Sequence, residues 1–339
     1  MTQNDPLTDF AHPTMQLATS PDGIKWKTAQ QLPLPNTFLE EGSFYKHNGF
    51  YFANAQTFRP GPNNRSLGRV ATAFISPDFD NWLTASSQAF LLPKDSNGQR
   101  PQVHLGVGAK SFGNVLVGIY GRWHDNAAFE DNTCDLGLVV SNDGLKFREP
   151  DPEFIFIDHQ ESPATVFTGK TLNTILAQGN GILNVGDQTL IYHGRWANAI
   201  YDDPQRGAVE DYSAEVALAI LPRDRWGALT LSSGASSGSM WTTSVILPIT
   251  PTTMFFNGEG APGVKIEIAD ARFGLIKGIS GKVEGEQGFD CPVNWQGKPL
   301  SSLAGETVRF RITMQKGEKF TPRLYALTLK TSAGHFDHP

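Results

Sequence analysis

With 339 residues, 39% apolar and 18% charged, the chain is long enough to bury one large core or two ordinary ones and too apolar to be disordered. A net charge of −6 without any run of Lys or Arg argues against nucleic acid or an acidic membrane surface as partner. No apolar run reaches the ~20 residues that a bilayer crossing needs.

The N-terminus, Met1 to Thr8, lacks the basic and apolar regions of a signal peptide. The chain is therefore read as cytoplasmic, or as secreted or periplasmic with an export signal removed. Residues 1–12 form a lead-in. Next comes Met15-Gln-Leu-Ala-Thr-Ser-Pro-Asp22-Gly-Ile-Lys-Trp26, a strand running into a tight turn that ends on an aromatic ring. The same punctuation returns at Ser76-Pro-Asp78 with Trp82 and at Ser141-Asn-Asp143 with Phe147. In each, Ser and Asp are suited to bond the turn's own backbone. Spacings of 56 and 65 residues between the three Asp positions mark a structural repeat of propeller or solenoid size.

Each repeat also holds a hairpin. The first is Glu40-Glu41-Gly-Ser-Phe-Tyr-Lys-His47-Asn48-Gly49-Phe-Tyr-Phe, whose Asn-Gly turn is a strong hairpin signal. His47, at that turn, is expected to face solvent. Related hairpins turn at Gly113-Asn114 and Gly186-Asp187, and each closes on Gly-Arg-Trp, at 121–123 and 194–196. Four strand candidates per repeat favour a β-propeller. Blades are expected at roughly 40–95, 102–158 and 176–248, with long polar loops 57–68, 124–135 and 197–214. Residues 13–36 supply only the last two strands of an opening blade, so either N-terminal blades of a longer protein lie outside the chain, which is the favoured expectation, or later strands complete the ring.

From about 249 the texture becomes plain alternation of period two, at Thr252–Asn257, Val264–Ala269, Val293–Trp295, Thr307–Thr313 and Arg323–Leu329. A C-terminal β-sandwich is expected over 249–330 after a propeller over 13–248, with 331–339 disordered and no helix beyond about two turns. Cys134 and Cys291 carry no metal spacing; they are either two buried thiols or one inter-domain disulfide.

The first strand of each blade lines the channel, which places Glu40, Glu41, His104, Gln178 and Asn180 around one mouth. Arg122, Trp123, Arg195 and Trp196 close the second strands, with His193, His124 and Asp125 beside them. Glu130, Asp202, Asp203, Glu210 and Asp211 sit on the adjacent loops. Tryptophan faces stack on sugar rings, Arg pairs with carboxylates, and a partly desolvated Glu protonates a glycosidic oxygen. Blander roles stay open: Glu41 capping backbone amides, His104 as a core histidine, and the Arg-Trp pairs as staples between blades.

The Ser-x-Asp-Gly-x-x-Trp corners and the Glu41-Gly42-…-Asn48-Gly49-Phe-Tyr51 hairpin resemble the five-bladed propellers of glycoside hydrolase families 32, 43 and 68. Val264–Asp270, Lys277–Ser280, Asn294-Trp295, Leu303–Arg311, Leu324–Leu327 and Arg223–Leu229 resemble uncharacterised family-32-like proteins with a C-terminal sandwich. The resemblance implies an exo-acting glycosidase with Glu41 as general acid. No Trp-Met-Asn-Asp-Pro or Arg-Asp-Pro motif of the fructan hydrolases occurs, so the other two acids of those families have no counterpart in the chain. A polysaccharide lyase with His104 or His193 as base and Arg122 or Arg195 on a uronate, and a non-catalytic sugar-binding propeller, are the alternatives. The expected partner is an oligo- or polysaccharide, with a monomer or small homo-oligomer as the assembly. No cofactor is called for, with room left for a structural Ca2+ in the channel.

Overall fold

The computed structural model describes residues 16–31, 40–60, 66–83, 87–93, 102–125, 132–152, 154–163, 174–197, 213–332 and 334–335. The described regular structure is all-β apart from single 3-10 turns at Ala261–Gly263 and Leu300–Leu303. Two compact units are present, 1–182 with 191–219 and 183–190 with 220–337.

The first unit opens with an antiparallel pair, β1 (Gln16–Thr19) and β2 (Lys27–Gln31). A four-stranded antiparallel meander follows: β3 (Glu40–His47), β4 (Phe50–Pro60), β5 (Ser66–Ser76) and β6 (Ser87–Phe90). The next meander is β7 (Gln102–Ser111), β8 (Leu116–His124) and β9 (Thr133–Ser141). Its fourth position is filled by irregular chain, held by bridges from Val140 to Arg148 and from Leu136 to Ile157. A single parallel bridge, Ile175 to Cys134, joins β9 to β10 (Thr174–Val185), followed by β11 (Gln188–Ala197) and β12 (Ser213–Pro222). The apolar faces of the first two meanders share one core of Tyr45, Phe52, Phe90, Leu92, Val107, Leu116, Tyr120, Val139 and Phe147. Strand β8 is buried on both faces, and Gly137 on β9 lies against it because any Cβ there would come within 2.2 Å of the Tyr120 ring.

The three repeated corners are built alike. Asp22 Oδ1 accepts the backbone N–H of Ile24 and Lys25, Asp78 Oδ1 those of Asp80 and Asn81, and Asp143 Oδ1 those of Leu145 and Lys146. Trp26 and Trp82 then donate their indole N–H to the carbonyl three residues back, Gly23 and Phe79. Side-chain acceptors thus satisfy donors that a strand ladder has released.

His47 is not exposed. Its ring is buried, with Nδ1 2.9 Å from Ser111 Oγ and Nε2 3.1 Å from the Asn142 carbonyl, so the turn of β3–β4 is sewn to the second meander. The alternation of β3 gives the reason: its inward face runs Ser43, Tyr45, His47, and the last member is carried inward with the others.

The second unit contains β13 (Leu229–Thr230), β14 (Ser237–Trp241), β15 (Val245–Ile246), β16 (Thr252–Glu259), β17 (Val264–Asp270), β18 (Leu275–Val283), β19 (Gln287–Gly297), β20 (Thr307–Gln315), β21 (Arg323–Thr331) and β22 (Gly334–His335). Strands β13 to β15, within the stretch that the repeat spacing assigned to a third blade, pair with β20 and β21 of this unit. One strand makes the sandwich: the first half of β19 pairs with β16 and its second half with β18. The sheet folds over itself there and encloses Phe256, Ile266, Ile268, Val283, Val293, Phe310, Ile312 and Met314. Each such side chain contributes about 1.5–3 kcal/mol on burial. β22 pairs with Lys330 and Thr331, so the start of the tail is strand and not disordered chain. Both cysteines are buried free thiols, which removes the inter-domain disulfide.

Candidate functional site

The site is organised by a bulge in β7. After His104 pairs with Gly121 the ladder slips, and Leu105 and Gly106 turn left-handed at φ 60° and 70° before Val107 pairs with Tyr120. Such a bulge releases backbone groups that must find partners while buried. Gln56 Oε1 takes the Leu105 N–H at 2.9 Å and Asn54 Oδ1 takes that of Val107 at 3.0 Å. Ser43 donates to the Val107 carbonyl at 2.8 Å. From the other side Gln178 Nε2 donates to the His104 and Gly106 carbonyls, both at 2.7 Å. Polar residues of β3, β4 and β10 therefore fix the β7 bulge, and Gly106 is required because a Cβ would sit 2.8 Å from Ala55.

The bulge aims His104 inward, 5% exposed. Its ring centroid is 4.9 Å from that of Trp123 and 6.1 Å, edge-on, from that of Trp196. Beneath them Trp123, Cys134, Ile175 and Trp196 form an apolar cluster. The Arg69 guanidinium stands 5.3 Å over Trp123. Burial, aided by the Arg69 charge, holds the His104 pKa down to about 3, so the imidazole is neutral at any physiological pH. Among the described residues, His104 Nδ1 and Gln178 Oε1 have no hydrogen-bond partner. At the rim, Asp125 accepts the Trp123 indole N–H at 2.5 Å and the Gln102 amide at 2.8 Å.

Residues one step along point the other way. Arg122 donates to the Pro152 carbonyl at 3.3 Å. Its counterpart Arg195 donates to the Pro163 carbonyl at 3.1 Å and pairs with Glu215 at 3.1 Å. Buried His193 lies 3.0 Å from Ser162 Oγ, and burial lowers its pKa. The two Gly-Arg-Trp motifs thus divide their labour, with Trp facing the His104 cluster and Arg gripping a loop carbonyl. Asn180 is exposed on β10. Glu40 and Glu41 lie at the start of β3, with Glu40 opposite Gln56, the residue that caps the bulge; their side chains lie outside the described ones, as do Glu130, Asp202, Asp203, Glu210 and Asp211 altogether.

The same face as Arg122 carries Asp135, buried, with His124 Nε2 at 2.7 Å on one oxygen and His159 Nδ1 and backbone N, both at 2.8 Å, on the other. Burial alone raises a carboxyl pKa; the three N–H donors outweigh it and hold Asp135 at about 2. Asp158 lies 3.4 Å from the His159 ring, and Asp135, Asp158 and His159 gather their ligand atoms within 4.8 Å. That set does not fit Ca2+, which takes six to eight oxygens, because both Asp135 oxygens already accept N–H groups. Arg69 and the Asp135–His159 pair were not singled out in the sequence. Arg69 lies outside the repeated motifs, and Asp135 ends what reads as a solvated loop.

No family model matches the chain and no curated protein does. Solved structures do. It is similar to a family 43 arabinoxylan arabinofuranohydrolase from Bacillus subtilis, at 12% identity and TM-score 0.32 over 93% of this chain and 73% of that one. A family 32 beta-fructofuranosidase from Bombyx mori matches at 10% identity and TM-score 0.33 over 95% and 87%. An exo-inulinase from Aspergillus awamori matches at 11% and 0.28 over 87% and 96%. Identity and TM-scores of this order transfer no residue role.

Proposed function

We propose that the first unit acts on carbohydrate as a glycosidase, with the partly exposed ring of Trp196, backed by the buried His104–Trp123 pair, as the wall of its sugar site. The observation that carries this reading is the placement of two indoles around one neutral, buried imidazole, beside the strand start that bears Glu41. Indole faces take up the C–H faces of a sugar ring. The rim carboxylate Asp125, with exposed Asn180, offers acceptors and donors to hydroxyl groups.

In the proposed reaction Glu41 gives its proton to the glycosidic oxygen as the C–O bond breaks. Water then adds at the anomeric carbon and returns a proton to the Glu41 carboxylate that the first step left behind. Arg122, Arg195 and Gln178 serve as positioning residues, holding loop carbonyls and the bulge. A terminal, exo-acting mode is part of the proposal, resting on the family resemblance.

The lyase alternative asks His104 or His193 for a base and Arg122 or Arg195 for a uronate clamp. Burial of both rings, and the Pro152, Pro163 and Glu215 contacts of the two Arg, count against it. Incubation with a panel of arabinan, arabinoxylan, fructan and pectic oligosaccharides separates the readings. Release of reducing monosaccharide without ultraviolet absorbance from an unsaturated uronate supports the glycosidase. Appearance of that chromophore sinks it in favour of the lyase, and no product at all leaves a binding propeller.

A further inference from the structure

The sandwich carries a face of its own. Register pairs set Trp241 opposite Arg311, Arg311 opposite Glu267, Glu267 opposite Ser280, and Ser280 opposite Gln296. Directly paired residues share a face, so these side chains form one row across β14, β20, β17, β18 and β19. The alternate row, Met240, Ile312, Ile266, Gly281 and Trp295, points into the core. Four strand steps of about 4.8 Å make the row ~19 Å long.

One end is aromatic. Trp241 is 38% and Phe273 51% exposed, yet their rings meet edge-on at 5.2 Å. Arg309 covers one face of Phe273 at 4.5 Å, and Arg311 stands over Trp241 while gripping Glu267 through two N–H bonds of 3.0 and 2.7 Å. Phe273 reaches this position only through a left-handed backbone, φ 67°, in a turn pinned by Asp270, which accepts the N–H of Arg272 and Gly274 at 2.8 Å. A bulky residue in that region is strained, and strain of this kind persists where the position of the side chain matters. Here it holds an apolar ring out toward water.

The other end is a groove of about 380 Å³ lined by Glu267, Lys277, Ser280, Gln296 and the backbone of Gly278 and Gly297. Two glycines make its floor thin: a Cβ on Gly297 would stand 2.0 Å from the Gly278 carbonyl oxygen.

We infer that this outward face is a carbohydrate-binding site of the sandwich, taking a short run of a glycan chain with one sugar ring on Trp241 and Phe273. The row alternates rigid planar groups, a ring, a guanidinium, a carboxylate and an amide, each suited to the paired hydroxyls of a sugar. The core of a protein interface is depleted of charged residues, whereas here Lys265, Glu267, Arg309 and Arg311 stand among the exposed apolar side chains Trp241, Ile246, Phe273 and Leu275. The choice of glycan as ligand class rests on the proposed activity of the first unit, but the site itself does not use that unit's residues.

The test is affinity electrophoresis of the full chain in native gels cast with arabinoxylan, inulin or polygalacturonate. Wild type, Trp241→Ala and Phe273→Gly are compared, with turnover of a short aryl glycoside scored alongside. Retardation of wild type by at least one polysaccharide, weakened about tenfold or more in both variants, is the expected result. Turnover is unchanged and the melting temperature of Phe273→Gly is not below wild type, since glycine adopts the left-handed turn without strain. Equal retardation of variants and wild type overturns the inference, as does no retardation by any of the three. Self-association of wild type that Trp241→Ala abolishes overturns it in favour of a protein contact. Binding without turnover removes the proposed activity and leaves the sandwich site standing; turnover without Trp241-dependent binding does the reverse.

Discussion

Acidification should destabilise the first unit through His104. Its folded pKa is about 3, against about 6.5 when unfolded, so the unfolded chain binds the extra proton between those values. The folded pKa is depressed for a cationic acid, hence the contribution is fully present above pH 6.5 and is lost as pH falls toward 3. Between pH 7 and 5 the loss is about 2 kcal/mol, from 1.36 kcal/mol per pH unit over the interval below 6.5. His193, also buried with a lowered pKa, adds to the wild-type slope in the same direction. The clean quantity is therefore a difference: urea unfolding followed by tryptophan fluorescence, at pH 7 and pH 5, for wild type and His104→Gln. The variant should be less stable at pH 7 but lose about 2 kcal/mol less on going to pH 5. Equal losses in the two proteins would refute the claim that the ring is held neutral by burial between Trp123 and Trp196.

Further outcomes follow from the same geometry. Asp135→Asn should cost about 2 kcal/mol and raise amide exchange over residues 158–163, since the carboxylate orders both His124 and His159. Its own pH signature is lower: stability present above about pH 4 and lost as pH falls toward 2. Gly137→Ala should cost about 1–3 kcal/mol in thermal melts because its Cβ has no room beside Tyr120. Trp196→Ala, partly exposed, should leave folding intact by circular dichroism while raising KM for any cleaved glycan more than it lowers kcat; unchanged KM would remove Trp196 from the sugar wall.

The repeated corners were legible because Ser, Asp and an aromatic recur at fixed offsets, and each offset has one geometric meaning, a side chain bonding its own turn. The Trp-bearing strand ends were legible for the same reason. Less so was the fourth position of the second meander, where two bridges replace a strand and no periodicity marks them. β18 was missed because Gly278 and Gly281 interrupt its alternation, the latter lying where a Cβ would meet Val293 at 2.6 Å. His47 misled because an Asn-Gly turn reads as solvent, whereas this one is sewn to Ser111 and Asn142 of another sheet. Arg69 reaches Trp123, and His159 reaches Asp135, across 54 and 24 residues of sequence. No local pattern encodes such pairs; they depend on how the strands are stacked.

The central claim is that Glu41 delivers the proton to a glycosidic oxygen. It is tested most directly by Glu41→Gln assayed on two substrates, the cleaved glycan and an aryl glycoside of the same sugar whose leaving group needs no protonation. The expected result is a loss of about 10²–10⁴-fold on the glycan with far smaller loss on the activated glycoside. Equal activity of wild type and Glu41→Gln on the glycan would contradict it.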